Sequence, residues 1–358
     1  MKIGIWGNYC YGNFGDDLMA ISIANYLKKK GHQPIVFRLD RRLAEKFDIE
    51  TETSVSALVA QTSFLIIGGG GMLVGNSGIR RIFSPIARKF ENDFKQLKKA
   101  LEKFKKNIYP ISIGGAGKKD VRLPRSRERF FASNFVREGT LRLKGDLSLT
   151  ERMGKSFTYF PDILFDIESH FKVRSLRKPH DGEIWIGLNL ISKDMEGEYW
   201  LDKLVEEARK VPHLKLFFIR THLENYQINY EYCPETSLPN VKPYNYSDVE
   251  DTLNLLTSLD IIISSKLHVG LTSLALRTPF LSFKGKDKTK AQLRELKADQ
   301  AIFDSGDQLD EFLEQLINSG RPITLEQIYD VEKLRAASEG SKKHYQYIDH
   351  LILENMTS

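Results

Sequence analysis

Cysteine is scarce in this sequence, and so are long apolar runs. Cys10 and Cys233 are its only cysteines, too few for a disulfide framework, so a reducing compartment is expected. No stretch approaches the roughly 20 apolar residues of a membrane-spanning helix. The N-terminal apolar run, Ile3–Trp6, is too short for the core of a signal peptide. We therefore expect a cytoplasmic protein.

Several binding motifs are also missing. The sequence has neither the G-x-G-x-x-G spacing of a dinucleotide site nor the G-x-x-x-x-G-K-[ST] of a P-loop. No Cys, His and Asp cluster has metal-ligand spacing. We therefore predict no metal and no bound cofactor.

Positive charge is concentrated in one segment. The formal net charge is +6, and the range 80–129 holds 16 Lys/Arg against 5 Asp/Glu. Such a run is either a solvated helix face or a surface for an anionic substrate or an anionic membrane. Nucleic acid is disfavoured, because the segment shows no interleaved aromatic platform and no known reading motif.

Strand and helix patterns alternate along the whole chain. Apolar runs without polar alternation, separated by helical patterns, predict parallel sheets covered on both faces. ASNFVRE and SFTYFPDILF are interpreted as strands, and the polar range 166–183 as a linker. The fold class is predicted as α/β, with two Rossmann-like domains facing across a cleft as in GT-B glycosyltransferases. The domains are predicted at 1–168 and 183–323, with a helical segment, 324–358, that packs back on the first domain.

Glycine-rich loops follow several predicted strands, at the sheet edge where ligands bind in open α/β folds. FLII runs into Gly68, Gly69, Gly70 and Gly71, and a second loop contains Gly114 and Gly115. Their backbone N–H groups are expected to face a ligand. An earlier loop, GNYCYGNFGDD, leads into a helix that Asp16 or Asp17 can cap.

The strand DIIIS ends in a cationic pair. Lys266 and His268 flank Leu267, and a further basic cluster, FKGKDKTK, follows the next strand, FLSF. Because the carboxyl ends of neighbouring parallel strands share one edge, the two clusters are expected side by side. This arrangement predicts a small, multiply charged anion as ligand.

Four stretches resemble the polysaccharide pyruvyltransferase family. GNFGDD is similar to its G-N-x-G-D-[DE] turn, and FLIIGGGGML to its glycine-rich loop. FVRE, a serine-containing helix and FPD resemble its v-R-[DE]…S…pD block. SSKLHVGLTSLALRTPFLSFKGKDKTKAQLREL is similar to the s-x-R-L-H…A…g-x-P…K signature, the most specific match because its spacings are ungapped.

The resemblance implies transfer of pyruvate from phosphoenolpyruvate, as a ketal, onto a sugar of a cell-surface polysaccharide or its lipid-linked precursor. Arg137, Lys266, His268 and Lys288 are then the expected donor-binding residues, although Lys286 and Lys290 lie close to Lys288.

His268 is expected as general acid or phosphate ligand, since an ordinary histidine has a pKa near 6.5. Asp16 is the expected base toward the acceptor. Lys266 departs from the family's arginine, and lysine offers a point charge where arginine offers a bidentate fork.

Two other readings stay open. A GT-B glycosyltransferase using a nucleotide sugar would share the fold, and the range 248–251 could supply its ribose-binding carboxylate. The other reading is a non-catalytic protein of the same fold that binds an anion or a sugar.

Overall fold

The structure, a computed structural model, divides into two compact units. It describes residues 1–75, 85–118, 121–176, 182–226, 230–235 and 237–357. The first unit comprises Met1–Gly12, Asp16–Ile163 and Glu339–Ser358, and the second comprises Asn13–Gly15 and Leu164–Ser338.

The first unit is built on a parallel sheet. Its described part has five strands in the order β3-β2-β1-β4-β5: β1 Lys2–Trp6, β2 Gln33–Phe37, β3 Glu50–Glu52, β4 Phe64–Gly68 and β5 Ile108–Ile111. β4 and β5 are buried throughout, as expected for strands covered on both faces.

Helices cover this sheet: α1 Phe14–Lys29, α2 Arg41–Lys46, α3 Val55–Gln61, α4 Pro85–Phe104, α5 Arg125–Phe131 and α6 Leu147–Arg152. Side-chain caps begin two of them, since Asp40 accepts from the Arg42 amide and Ser54 from the Ala57 amide. Phe94 of α4 packs edge-on against Trp6 of β1, with ring centroids 4.8 Å apart.

The region after α5 contains less strand than its sequence predicts. Within ASNFVRE only Val136 makes a bridge, parallel to Ile108. The chain then forms β6, Thr140–Leu141, paired in parallel with β7, Thr158–Tyr159. Most of SFTYFPDILF is therefore not strand, because Ile163–Ser169 turns into a 3₁₀ helix. Both strand predictions were wrong in extent.

The second unit repeats the parallel design. Its described strands follow the order β10-β9-β8-β11-β12-β13: β8 Ile184–Asn189, β9 Leu214–Arg220, β10 Val241–Asn245, β11 Ile261–Ser264, β12 Phe280–Phe283 and β13 Ile302–Phe303. The order reverses beside β8, which pairs with β9 on one side and β11 on the other. Ligands bind at such reversal points in doubly wound sheets.

The helices of this unit connect the strands: α7 Tyr199–Lys210, α8 Val249–Leu256, α9 Leu267–Ala275, α10 Asp287–Glu295, α11 Gly306–Ser319 and α12 Leu325–Ile328. Asp248 caps α8 by accepting from the Glu250 and Asp251 amides. α9 follows β11 after two residues, so Lys266 and His268 are held at the end of a buried strand.

The last helix, α13 Val331–Thr357, belongs to both units, and its residues from Glu339 onward are grouped with the first. His344 is fully buried on this helix. Its Nδ1 lies 2.7 Å from Thr140 Oγ1, and its Nε2 lies 2.8 Å from the Pro161 carbonyl oxygen. The unit boundary falls at Ile163, ahead of the predicted linker, of which residues 177–181 lie outside the described residues. Among the helices described, none is both long and apolar enough to cross a bilayer.

Candidate functional site

Polar side chains meet at the carboxyl ends of β8, β9 and β11 in the second unit. At their centre is the buried carboxylate of Glu231. Lys266 Nζ lies 2.7 Å from Glu231 Oε1 and 2.8 Å from Thr221 Oγ1. Asn189 Nδ2 donates to the same Oε1 over 2.8 Å, and the Thr221 amide donates to Oε2 over 2.9 Å. The charge of Lys266 is thus compensated within the protein.

This environment fixes the protonation state of Glu231. Burial alone would raise the pKa of its carboxyl, but the hydrogen bond from His222 and the charge of Lys266 outweigh burial. The pKa is held well below its usual range, so Glu231 is ionised. Lys266 also lies over the Tyr230 ring, 4.7 Å from its centroid.

The hydrogen bonds also assign the tautomer of His222. Its Nδ1 lies 3.1 Å from Glu231 Oε2, and an ionised carboxylate can only accept, so Nδ1 carries the hydrogen. Its Nε2 lies 3.0 Å from Asn13 Nδ2. Because Asn13 Oδ1 accepts from the Gly15 amide, the Asn13 amide nitrogen faces the ring. Nε2 therefore accepts from Asn13.

His268 lies in the first turn of α9, half-buried. Gly15 packs against its ring so closely that a Cβ on Gly15 would lie 2.2 Å from His268 Nδ1. A side chain at position 15 would therefore displace the imidazole. The conformation of the Asn13–Gly15 turn and that of His268 depend on each other.

The second basic cluster follows β12, beside the first. Ser265 Oγ donates to the Phe283 carbonyl over 2.9 Å, which ties the ends of β11 and β12 together. Lys288 is half-buried in the first turn of α10. Lys286 is exposed at the N-cap, and Lys290 pairs with Asp304 at 2.6 Å.

In the first unit, neighbouring side chains leave room only for glycine at some positions of the loop Gly68–Gly71. Tyr9 Oη donates to the Gly68 carbonyl over 2.7 Å, and a Cβ on Gly68 would lie 2.4 Å from Tyr9 Oη. Gly69 has φ +74° and its Cβ position lies 2.5 Å from Met19 Sδ. The Cβ position of Gly70 is 3.6 Å from Asp16 Oδ1, so Asp16 lies beside this loop.

In the second glycine loop, backbone amides donate hydrogen bonds to other groups of the protein. The Gly115 amide donates to Asp146 Oδ2 over 2.6 Å, and the Gly117 amide to Asp146 Oδ1 over 3.1 Å. The Gly114 amide donates to the Gly70 carbonyl over 3.0 Å. These amides hold the protein's own groups in this structure, so the expected ligand contact of Gly114 and Gly115 remains a prediction.

A family model, described as polysaccharide pyruvyl transferase, matches residues 13–287. The chain belongs to the polysaccharide pyruvyl transferase family. A search of curated proteins finds no match to this sequence.

Solved structures with low sequence identity share the fold of this pyruvyl transferase family member. S. aureus MnaA, in a structure with UDP, has a TM-score of 0.62 at 12% identity, covering 100% of this chain and 98% of that one. Neisseria meningitidis UDP-GlcNAc 2-epimerase, bound to UDP-GlcNAc, has a TM-score of 0.60 at 12% identity, covering 99% of this chain and 100% of that one. Anabaena Alr3699/HepE, in complex with UDP-glucose, has a TM-score of 0.56 at 11% identity, covering 100% of this chain and 99% of that one. The α/β fold is GT-B-like, as predicted.

Arg137 and Arg142 occupy different ends of β5 in this family member. Arg137 is exposed, and its amide donates to the carbonyl of Ile108, the first residue of the strand. The structure does not bring Arg137 to the glycine loops. Arg142 lies past the other end, where a Cβ on Gly114 would lie 2.8 Å from its Nε. The donor role of Arg137 stays a prediction.

The basic segment divides between buried and exposed cations. Arg127 is buried and donates to Glu91 and to the Met72 and Val74 carbonyls, so its role is structural. Arg80 and Arg81 lie outside the described residues. No three His, Cys, Asp or Glu side chains in the described ranges form a group that could hold a metal ion, and the expectation of no metal stays a prediction.

Glu231, His222 and Asn13 were not predicted from the sequence as site residues. His222 follows β9 at a carboxyl end, and Asn13 lies inside the quoted GNFGDD motif, so both positions carried a signal. Glu231 carried none, since it lies in an irregular stretch. The carboxylate suggested near 248–251 for a nucleotide-sugar enzyme has a local use, because Asp248 caps α8.

Proposed function

We propose that this protein transfers pyruvate from phosphoenolpyruvate, as a ketal, onto two hydroxyls of a sugar in a cell-surface polysaccharide or its lipid-linked precursor. The observation that supports it best is the placement of His268 and Lys288. Each lies in the first turn of a helix, and these helices follow the neighbouring strands β11 and β12. Both residues fall on or next to the family match.

This placement suits an anionic donor. Phosphoenolpyruvate has a carboxylate and a phosphate, and helix N-termini favour negative charge because their backbone N–H groups point outward. Lys288 adds a cation, and His268 adds an imidazole. Lys266 contributes less net charge than its sequence position implied, because Glu231 compensates it.

The reaction forms one C–H bond and two C–O bonds at the pyruvyl group, and it breaks two hydroxyl O–H bonds and the C–O bond to phosphate. Protonation of the donor's methylene carbon makes a methyl group and an oxocarbenium at C2, with His268 as the proposed acid. A sugar hydroxyl adds to C2 and loses its proton. The second hydroxyl then displaces phosphate, which leaves with the C–O bond pair while the hydroxyl proton is released. No metal or cofactor takes part.

Asp16 is the proposed base toward the acceptor. It is half-buried in the first turn of α1 and lies next to Gly70. A carboxylate beside an open glycine backbone can accept a proton from a sugar hydroxyl that approaches the loop. Gly70 and Gly71 are proposed to leave the room that this approach needs.

We also propose that the exposed face of α4 binds an anionic membrane surface, where a lipid-linked acceptor would be found. Two of the acids on this helix, Glu91 and Asp93, are buried. The face left outside contains the exposed cations Arg88, Lys89, Lys95, Lys99 and Lys103, against one exposed acid, Glu102. Anionic lipid attracts such a segment by about 1 kcal/mol per cation.

Phosphate release tests the reaction. The purified protein is incubated with phosphoenolpyruvate and a mixture of sugar acceptors, and inorganic phosphate and an acid-labile pyruvyl ketal are measured. The proposal expects both products, in equal amounts, only when acceptor is present. Release of UDP from a UDP-sugar instead would favour the hypothesis that the protein is a glycosyltransferase. Binding of phosphoenolpyruvate without either product would favour the non-catalytic reading.

A further inference from the structure

The Asn13–Gly15 turn is attached to the carboxyl end of β9. The Phe14 amide donates to the Thr221 carbonyl over 2.9 Å, and Asn13 forms an antiparallel bridge with His222. The Phe14 ring packs edge-on against Tyr246, with centroids 5.6 Å apart. Backbone and side-chain contacts thus hold this turn in place within the second unit.

The turn sets the space available to His268. Because the Gly15 Cβ position lies 2.2 Å from His268 Nδ1, the backbone of the turn contacts the imidazole directly. A small shift of Asn13 would move Gly15, since the Asn13 side chain accepts from the Gly15 amide over 3.2 Å. The orientation of His268 therefore depends on how firmly Asn13 is held.

Asn13 is held by His222, and His222 by Glu231. An accepting Nε2 on His222 needs its hydrogen on Nδ1, and Glu231 Oε2 selects that tautomer. Glu231 also holds Lys266, two residues before His268, through Oε1. One carboxylate thus fixes both the turn that contacts His268 and the residue that begins its helix.

We propose that Glu231 and His222 are positioning residues for His268, acting through the Asn13–Gly15 turn. His222 is not a second acid in this arrangement, because it is buried and its Nε2 already accepts from Asn13. The catalytic part of this inference rests on the proposed function, in which His268 is the acid. The structural part is independent of that function: Glu231 determines the tautomer of His222 and, through Asn13, the orientation of His268.

The test compares Glu231→Gln and Asn13→Ala with a matched control, Asn245→Ala. Glu231→Gln leaves Lys266 without its carboxylate and could unfold the protein, whereas Asn13→Ala removes no charge. Asn245 is exposed on β10, and its side chain donates to Glu224 over 3.1 Å, so its replacement also removes one asparagine hydrogen bond in the second unit. Long-range ¹H–¹⁵N spectra of histidine-labelled protein report the tautomer of His222 and the environment of His268.

We expect kcat for phosphate release to fall about 10²-fold in Asn13→Ala and Glu231→Gln, as a misplacement of about 1 Å can cause. The KM for phosphoenolpyruvate should change little in Asn13→Ala, and Asn245→Ala should behave as the parent. The parent spectrum should show His222 with its hydrogen on Nδ1, Glu231→Gln should lose that preference, and Asn13→Ala should shift the His268 resonances.

Parent-like kcat and His268 resonances in a folded Asn13→Ala variant would overturn the proposal. So would a parent spectrum with the His222 hydrogen on Nε2. If the parent releases no phosphate from phosphoenolpyruvate, the proposed function fails, and the spectra alone then decide the positioning role.

Discussion

Arg142 Nη1 donates to Asp162 Oδ2 over 2.9 Å, and both side chains are fully buried. The pair lies at the carboxyl end of β5, where Arg142 contacts the second glycine loop beside Gly114. A buried pair of this kind is most sensitive to the loss of one partner, since the remaining charge is then uncompensated.

Replacing Arg142 with alanine should therefore destabilise the first unit by about 3–5 kcal/mol in urea unfolding. Arg137→Ala is the matched control and should change stability by no more than about 0.5 kcal/mol, because its side chain is exposed. Equal stabilities would contradict the structural role of Arg142. Calorimetry on the folded Arg137→Ala variant tests its donor role separately, since unchanged phosphoenolpyruvate binding would remove that role.

Gly68→Ala should destabilise the protein by about 1–3 kcal/mol, because the new methyl would overlap Tyr9 Oη. Tyr9→Phe removes that oxygen and its hydrogen bond to the Gly68 carbonyl, at a cost of about 1 kcal/mol. The double variant should lose less stability than the sum of the two single variants, by about 0.5–3 kcal/mol. Strict additivity in urea unfolding would show that Tyr9 is not what Gly68 accommodates.

His344 should make stability depend on pH. Burial lowers its pKa to about 3, and the charge of Arg142 adds to this, although the hydrogen bond to the Pro161 carbonyl opposes it. Between the unfolded pKa of about 6.5 and this value, only the unfolded chain binds the proton, so stability falls by about 1.4 kcal/mol per pH unit as pH decreases.

His344→Gln should therefore show a shallower decline in urea stability between about pH 6.5 and pH 3 than the parent. His350→Gln, an exposed position on the same helix, is the control and should decline as the parent does. A parent-like slope in His344→Gln would mean that His344 is not buried as a neutral side chain.

His268→Asn should keep the fold and lose the chemical step, with kcat lower by about 10²–10⁴-fold, the usual contribution of a general acid. Lys288→Ala should instead raise the KM for phosphoenolpyruvate more than it lowers kcat. His213→Asn, at an exposed position, controls for the substitution. A large KM rise in His268→Asn would assign it to phosphate binding, and an unchanged variant would leave it a structural role.

Reversing Lys95, Lys99 and Lys103 to glutamate should abolish co-sedimentation with vesicles containing phosphatidylglycerol. These residues are exposed and spaced by four along α4, so they share one face. The same reversal at Lys193, Lys242 and Lys333, exposed in the second unit, should leave binding largely intact. Parent binding that survives high salt, or equal binding to neutral vesicles, would contradict an electrostatic surface.

The parallel α/β design could be read from the sequence because it depends on local patterns. Continuous apolar runs such as Phe64–Gly68 have few alternatives to a doubly covered strand, and the glycines after them mark turns. ASNFVRE was misread for the same reason. A short apolar run says little about whether neighbouring backbone will pair with it, and here only Val136 finds a partner.

The sequence by itself determined the two parallel sheets, the family motifs and the placement of Lys266 and His268 at a strand end. The tertiary structure decided what those residues contact. Glu231 reaches Lys266 across 35 positions, and His222 reaches Asn13 across 209. Whether a cation is available to a ligand or compensated by a buried carboxylate depends on which distant segments fold together, because electrostatic pairing acts over a few ångströms in space whatever the separation along the chain.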